Sequence, residues 1–276
     1  MTPVIRDLVT PEDAALAVDL QREVWGGDEV AAHVLLTAAH NGGLLAGAFV
    51  DNRLAGFVWG FLGFDERVHP SRLKHCSHQL GVHPAYRNGG IGFALKRFQW
   101  ARVRAQGIDL ITWTYDPLLA LNAYLNIGRL GAVCNTYFRD LYGHLNDDLN
   151  AGLPTDRFQV DLWVNASRVC AAMIGEPAPP PGEETWRWLN KPQGVKLPLP
   201  FISGDSPPEP VAVPSLLALA IPPDFYALKA ANPALAASWR TTTRATFESL
   251  FAAGYTVTHF VRQPNCSVYL LSHDSG

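Results

Sequence analysis

An arginine and three glycines between residues 87 and 92 have the types and spacing of an anion-binding turn. Arg87, Gly90 and Gly92 form the pattern R-x-x-G-x-G, and Gly89 adds a further small residue. Glycine lets a bulky anion approach the backbone closely, and a guanidinium donates hydrogen bonds from a permanent charge. The turn is therefore a candidate phosphate site, although a tight turn with a solvated arginine would use the same residues.

The flanking residues predict the elements that would position this turn. The chain up to Val82 reads as the end of a strand. After the turn, apolar residues recur at helical spacing, at Ile91, Ala94, Leu95, Phe98 and Ala101. A helix that begins at the turn directs unpaired N–H groups and the positive end of its dipole at an anion. This context favours the phosphate site, and the spacing matches neither a dinucleotide-binding G-x-G-x-x-G nor a P-loop.

The extended pattern V-x-P-x-x-R-x-x-G-x-G resembles motif A of the GNAT superfamily of acyl-CoA N-acyltransferases. It is carried by Val82, Pro84, Arg87, Gly90 and Gly92. The resemblance implies that the turn amides hold the coenzyme A diphosphate and that the preceding strand pairs with the pantetheine arm. The coenzyme A contacts implied in this way are Leu80, Gly81, Val82, Arg87, Asn88, Gly89, Gly90, Ile91, Gly92 and, on a later helix, Asn122.

Most of the chain also looks like a branch of this superfamily that has a C-terminal extension and is known mainly as predicted acetyltransferases. The segments that suggest this are Ser77–Val82, Tyr142–Gly143, Asp156–Arg157 and Trp239–Arg240. The implied fold is α/β (α+β), with a mixed, mostly antiparallel sheet flanked by helices. We expect an acyl-CoA-binding domain over residues 1–165 and an α+β extension over residues 166–276. A proline-rich linker at 176–182 would join them, and proline stays frequent up to Pro214.

Composition excludes several classes of function. With a net charge of −3 and no basic run, the 276-residue chain does not resemble a nucleic-acid-binding protein. Its four cysteines are widely spaced, which fits a reducing cytoplasm better than a disulfide framework. We find no signal peptide and no apolar run of membrane-spanning length. The histidines have no metal-ligand spacing, so we predict no metal site.

His78 is the first candidate for a general base. Strand alternation places it on one face with Leu80 and Val82, if no bulge intervenes, and therefore near the implied thioester. A histidine hydrogen-bonded within the sheet is the structural alternative. Since both the amine and the thiol titrate near neutral pH, acid–base assistance would be modest, and positioning would supply much of the acceleration.

The general acid cannot be carried over from the resemblance. GNAT enzymes often place a tyrosine four residues before the glycine that ends the later helix. That glycine matches Gly131, so the position is occupied by Ile127. Tyr124, roughly on the same face of a regular helix, is the substitute candidate, and Asn126 could contact the reacting groups. Packing roles for Tyr124, and proton transfer through water, remain alternatives.

Arg157 and Arg240 are candidates to bind a carboxylate of the acceptor or of the acyl group, because a guanidinium fork matches that shape. An ordinary ion pair is the alternative for each. The sequence thus predicts a cytoplasmic N-acyltransferase that uses acetyl-CoA or another acyl-CoA, such as succinyl-CoA, on a small-molecule amine. A catalytically silent coenzyme A sensor with a partner-binding C-terminal unit is the alternative. An antibiotic-modifying enzyme and a homodimer are also compatible with the sequence.

Overall fold

The computed structural model describes residues 3–27, 29–143, 153–192 and 216–273. The helices are α1 Pro11–Trp25, α2 Ala32–His40, α3 Ile91–Ala105, α4 Ala120–Ala123, α5 Ser167–Met173, α6 Phe225–Ala231 and α7 Pro233–Ala252. The strands are β1 Val4–Asp7, β2 Leu44–Val50, β3 Arg53–Asp65, β4 Arg72–Val82, β5 Leu110–Tyr115, β6 Val133–Phe138, β7 Arg157–Trp163, β8 Arg187–Trp188, β9 Leu216–Ile221, β10 Tyr255–Arg262 and β11 Ser267–His273.

The described residues form two compact units. The first comprises residues up to 113 and residues 161–173, and the second comprises residues 114–143, 153–160 and those from 174 onward. β5 and β7 contribute residues to both units. The domain boundary expected at 165/166 stays a prediction, because compactness does not determine where a homologous domain ends. The proline-rich sequence from residue 193 to Pro214 lies outside the described residues.

The first unit is built on antiparallel strands β1 to β4, with β5 added parallel to β4. Helix α1 has well-defined ends: the Thr10 hydroxyl accepts a hydrogen bond from the Asp13 amide at 3.2 Å, Pro11 is the first helical residue, and Gly26 ends the helix at φ 79°. Alternate residues of β3 pack in opposite directions. Phe57 packs with α1 and α2, and Val58 packs with α3.

The second unit contains β6, β10, β11 and β9 as antiparallel neighbours, with β8 parallel to β9. Its core is aromatic. The rings of Phe158 and Phe247 are 4.6 Å apart between centroids, and Tyr269 packs edge-on against Phe247 at 5.4 Å. This unit contains the 20-residue helix α7 and the hairpin β10–β11, so the extension has the α+β composition expected from the sequence. The predicted fold class, a mixed α/β fold with a mostly antiparallel sheet, is confirmed.

Candidate functional site

The arginine–glycine turn is exposed and ends at the first residue of α3. A single 3-10 turn, Pro84–Tyr86, leads into Arg87, whose amide donates to the Pro84 carbonyl at 3.3 Å. Gly90 adopts φ 80° immediately before the helix and provides no side-chain cap. The left-handed conformation explains the need for glycine at this position, because a Cβ would be strained there.

Beyond Arg87, the amide groups of residues 88–92 donate to no acceptor in the described part of the chain. The first helical bond runs from the Ala94 amide to the Gly90 carbonyl at 3.0 Å, so the N–H groups of Ile91 and Gly92 precede the helical hydrogen bonds. Residues 87–90 are exposed. The arrangement suits a diphosphate, because several N–H groups, a helix N-terminus and the Arg87 guanidinium occur together.

Strand β4 reaches this turn with one edge released from its parallel neighbour. Its ladder with β5 consists of two pairs, His75 with Ile111 and Cys76 with Thr112. Leu80 and Val82 remain paired with β3 on the other side. A Cβ on Gly81 would lie 2.7 Å from the Phe57 ring, so this glycine permits a close approach between neighbouring strands. The end of β4 thus has a backbone edge that an extended ligand could use.

A bulge in β4 changes the predicted position of His78. Trp59 pairs with Gln79 and the next residue of β3, Gly60, pairs with Ser77, so His78 is the extra residue. Leu80 and Val82 pack with the α3 cluster, whereas the His78 ring packs against Trp59 of the α1–α2 cluster. The prediction that His78 shares a face with Leu80 and Val82 was therefore wrong, because the bulge shifts the alternation by one residue.

The His78 side chain is accessible but has two aromatic neighbours. Its ring lies edge-on to Trp59 at 5.3 Å and is tilted against Phe61 at 6.0 Å. Partial burial against these rings lowers its pKa below the usual histidine value. Neutral imidazole is thereby favoured near pH 7, which is the form that a general base requires.

A buried polar cluster behind β4 had no counterpart in the sequence predictions. The Lys96 ammonium nitrogen donates to the Ser77 hydroxyl at 2.7 Å and to the Gln99 carbonyl oxygen at 3.3 Å. Gln99 in turn contacts His75 Nε2 at 3.1 Å. Burial lowers the pKa of Lys96 to about 7, and burial together with the charge of Lys96 lowers the pKa of His75 to about 4.

The helical pattern contained a signal for this cluster. The buried face of α3 consists of Ile91, Leu95, Lys96, Gln99 and Val103, whereas Ala101, predicted to face inward, is exposed. Lys96 is adjacent to Leu95, and Gln99 lies one turn beyond it. Two polar residues on the apolar side of an amphipathic helix were therefore readable, but their hydrogen-bond partners on β4 were not.

The predicted acid lies in an irregular helix of the second unit. After α4, residues Tyr124–Arg129 form a π-helical turn, and the Leu130 amide donates to the Leu125 carbonyl at 2.9 Å. Within this wider turn, Tyr124 is 36% exposed and Ile127 is 1% exposed. Asn122 is exposed and Asn126 is buried. Their roles stay predictions.

The two candidate carboxylate-binding arginines, also in the second unit, are both buried. Both terminal nitrogens of Arg240 bind the carboxylate of Asp116. Arg240 is therefore in an ion pair, which was the alternative to a substrate-binding role. Arg157 donates to the Asp156 carbonyl at 2.9 Å and lies 5.5 Å from the Tyr142 ring. Neither arrangement supports a substrate-binding role.

The described residues contain no group of three or more His, Cys, Asp or Glu side chains placed to hold a metal ion. Within the same residues, no helix combines the length and the apolar character needed to cross a membrane.

Comparison with known sequences finds a family similarity over part of the chain. Residues 14–126 match the sequence profile of the Acetyltransferase (GNAT) family. This segment contains β4, the arginine–glycine turn and α3, so the part of the chain that carries the candidate phosphate site is similar to GNAT acetyltransferases. A search of curated proteins found no relative with significant similarity. The assignment to a particular branch of the superfamily stays a prediction.

Several solved structures resemble the chain at low identity. The ribosomal-protein-S18-alanine N-acetyltransferase from Escherichia coli is 16% identical, with a TM-score of 0.47 over 60% of this chain and 96% of its own. A GNAT-family acetyltransferase from Streptococcus pneumoniae is 18% identical, with a TM-score of 0.46 over 58% and 97%. Naa50 from Arabidopsis thaliana, in complex with the bisubstrate analogue CoA-Ac-MVNAL, is 15% identical, with a TM-score of 0.46 over 58% and 98%. These values are too low for a functional assignment.

Proposed function

We propose that this acetyltransferase-family chain transfers an acyl group from acyl-CoA to the amine of a small molecule, such as an amino acid. The observation that carries the proposal is the turn at residues 87–92, of which residues 87–90 are exposed. The amides of residues 88–92 lack acceptors in the described part of the chain, and α3 begins within the turn at Ile91. A diphosphate supplies the acceptor oxygens that these groups require.

The released edge of β4 supports the same ligand. Beyond Cys76 the strand leaves its ladder with β5, and Leu80–Val82 leads to the phosphate turn. An extended arm with amide groups, such as pantetheine, can pair with a strand edge in this way. The backbone of Leu80, Gly81 and Val82, together with residues 87–92, would therefore hold coenzyme A. Asn122 remains a further predicted contact.

His78 is the proposed base for this reaction. Bound acyl-CoA would supply the thioester, and the acceptor amine must be neutral to attack it. His78 would accept the amine proton, directly or through water, and its neutral form is favoured by its aromatic surroundings. Tyr124 and Asn126 remain predicted contributors. The cytoplasm remains the predicted compartment, and the four cysteines, which lie in described residues and form no disulfide there, are compatible with it.

One observation favours the alternative, a catalytically silent coenzyme A sensor. At the position where GNAT enzymes often have an acidic tyrosine, Ile127 is 1% exposed and cannot donate a proton. A protein that binds acyl-CoA without turnover would need the phosphate turn but no acid. Nothing in the turn or in β4 distinguishes this function from transfer.

The proposal is tested in two steps with the full chain. In calorimetry, CoA, acetyl-CoA and succinyl-CoA should each bind with a saturable isotherm; absence of binding by all three would refute both functions. Thiol release is then followed with a panel of amino acids and other small amines. Turnover of at least one amine–thioester pair supports the transferase, and binding without release supports the sensor.

A further inference from the structure

A glycine on β3 leaves room for the bulge in β4. A Cβ built on Gly60 would overlap His75 Nε2 and the Cys76 carbonyl oxygen, so β4 approaches β3 more closely there than a side chain allows. Gly60 pairs with Ser77, the residue that immediately precedes the bulge. Gly60 therefore permits the bulge in β4, but a glycine on β3 does not by itself determine at which residue the bulge forms.

A side chain of α3 also binds Ser77, on the face of the sheet that α3 covers. The Ser77 hydroxyl is buried, and it accepts a hydrogen bond from Lys96 at 2.7 Å. Ser77 therefore has to face α3, and with His78 as the extra residue the His78 ring turns to Trp59 on the opposite side. This hydrogen bond is compatible with the register in which the bulge falls at His78, because a shift of one residue would turn the Ser77 side chain away from α3.

Lysine is a costly choice for this position. Lys96 is only 5% exposed, and its partners are the neutral groups of Ser77 and Gln99 and the ring of Trp113 at 3.8 Å. An apolar side chain of the same length would fill the space without desolvating an amine. Packing alone does not require the amine nitrogen. The role of this side chain therefore depends on the hydrogen bonds that the nitrogen makes.

We propose that Lys96 is a positioning residue that fixes the β4 bulge through Ser77 and thereby sets the place of His78 in the reaction. The role rests on the proposed function for its catalytic consequence, but the effect on the strand does not depend on turnover. The Lys96 side chain is buried behind β4, and the interactions it makes among the described residues are with Ser77, Gln99 and the Trp113 ring.

The first test is hydrogen exchange in the protein without ligand. The Lys96→Met variant keeps the length and packing of the side chain and removes the amine. We expect the amides of residues 77–79 to exchange at least tenfold faster in Lys96→Met and in Ser77→Ala than in the wild type. Arg97→Met, at an exposed position of the same helix, is the matched control and should leave them unchanged. Unchanged exchange in Lys96→Met would overturn the proposal.

The second test uses kinetics with the amine and acyl-CoA pair that the wild type turns over best. We expect kcat to fall at least tenfold in Lys96→Met, with affinity for coenzyme A within twofold, and the double variant with Ser77→Ala to be no worse than either single one. Thermal unfolding of Lys96→Met should occur at the same or a higher temperature, so lost stability cannot explain lost activity. A wild-type kcat in Lys96→Met would refute the positioning role, whereas an inactive wild type would refute the transferase and leave the exchange result to decide the structural claim.

Discussion

His78 and Lys96 are both basic side chains whose burial favours the neutral form, but they have different access to solvent. His78 is exposed, and its ring packs against Trp59 and Phe61. Lys96 is enclosed, and its hydrogen-bond partners are Ser77 and Gln99. The accessible group can exchange a proton with substrate, whereas the enclosed group can act only through its neighbours.

For the accessible histidine we predict a pH-dependent catalytic role. His78→Gln should lower kcat by about 10–100-fold, at the low end for a general base because the amine and thiol titrate near neutrality. In the wild type, kcat/KM should fall with acid below pH 6.5, at the lowered pKa of His78, and this limb should be absent in the variant. Thiol release measured from pH 5 to 9 reports both quantities.

His40→Gln, at the exposed end of α2, is the control for loss of a surface histidine. An acid limb that persists unchanged in His78→Gln would assign that titration to another group and remove His78 from the mechanism.

For the enclosed lysine we predict an effect on stability with a definite sign. The pKa of Lys96 is about 7 in the fold and 10.5 when unfolded, so between these values the unfolded chain binds more protons. The wild-type free energy of unfolding should therefore rise from pH 7 to pH 10. Lys96→Met should be more stable at pH 7, by roughly 1–4 kcal/mol, and should lack this rise.

Urea unfolding at pH 7 and pH 9.5 measures the difference. If both proteins show the same pH dependence, Lys96 is not the group that titrates, and another basic residue would have to account for it.

At the scale of elements, the sequence predicted α3, β4 and the turn between them, because a strand run, glycines and a helical apolar stripe follow one another directly. The same sequence could not place the bulge at His78. A bulge depends on which partner each residue meets across the sheet, here Gly60 with Ser77, and no local spacing encodes it. The π-helical turn at Tyr124–Arg129 was not predicted either, because the sequence indicated a regular helix there.

The turn itself gives a prediction with an internal control. Gly90 precedes α3 at φ 80° and Gly107 follows it at φ 73°, and a Cβ at either position would meet open space. Alanine at either site should cost about 1–2 kcal/mol of stability, because both require the left-handed conformation. Only Gly90→Ala should also weaken coenzyme A binding, by about tenfold or more, as measured by calorimetry.

Equal affinity in Gly90→Ala and Gly107→Ala would mean that the turn conformation does not govern binding. Since both variants carry the same backbone strain, a difference between them reports on the phosphate turn and not on general destabilisation.

A buried ion pair attaches α7 to the rest of the second unit. The sequence had suggested a different role for its arginine. Arg240 was a candidate substrate ligand, yet its guanidinium forks onto Asp116, which also accepts from the Leu118 amide at 2.9 Å. The role of Arg240 depends on its burial and on its pairing with a residue far away in the sequence. A two-residue sequence segment reveals neither. We expect Arg240→Met to destabilise the protein by about 3–5 kcal/mol, since Asp116 would remain buried without its partner.

The matched control is Arg139→Met, which breaks an exposed pair with Glu248 and should cost about 1 kcal/mol or less. Chemical denaturation measures both. If Arg240→Met keeps wild-type stability but raises KM for a carboxylate-bearing substrate, the substrate role would be restored.

At the scale of the whole molecule, the phosphate contact predicts how ligands change global stability. A ligand that binds only the folded state at 100 times its Kd raises the free energy of unfolding by about 2.7 kcal/mol, which corresponds to roughly 5–10 °C in Tm for a chain of this size. CoA should produce this shift. Pantetheine lacks the diphosphate that the amides at 87–92 would bind, so at the same concentration it should produce little or none.

The CoA-induced shift in Tm should also depend on ionic strength. A diphosphate bound by Arg87 and the helix N-terminus is attracted partly through charge, so the CoA-induced shift should shrink as ionic strength rises from 0.05 to about 0.5 M. Gly90→Ala should reduce the shift by CoA, and Gly107→Ala should not. A shift that is equal for CoA and pantetheine and insensitive to salt would locate the binding energy in the strand edge of β4 and not in the turn.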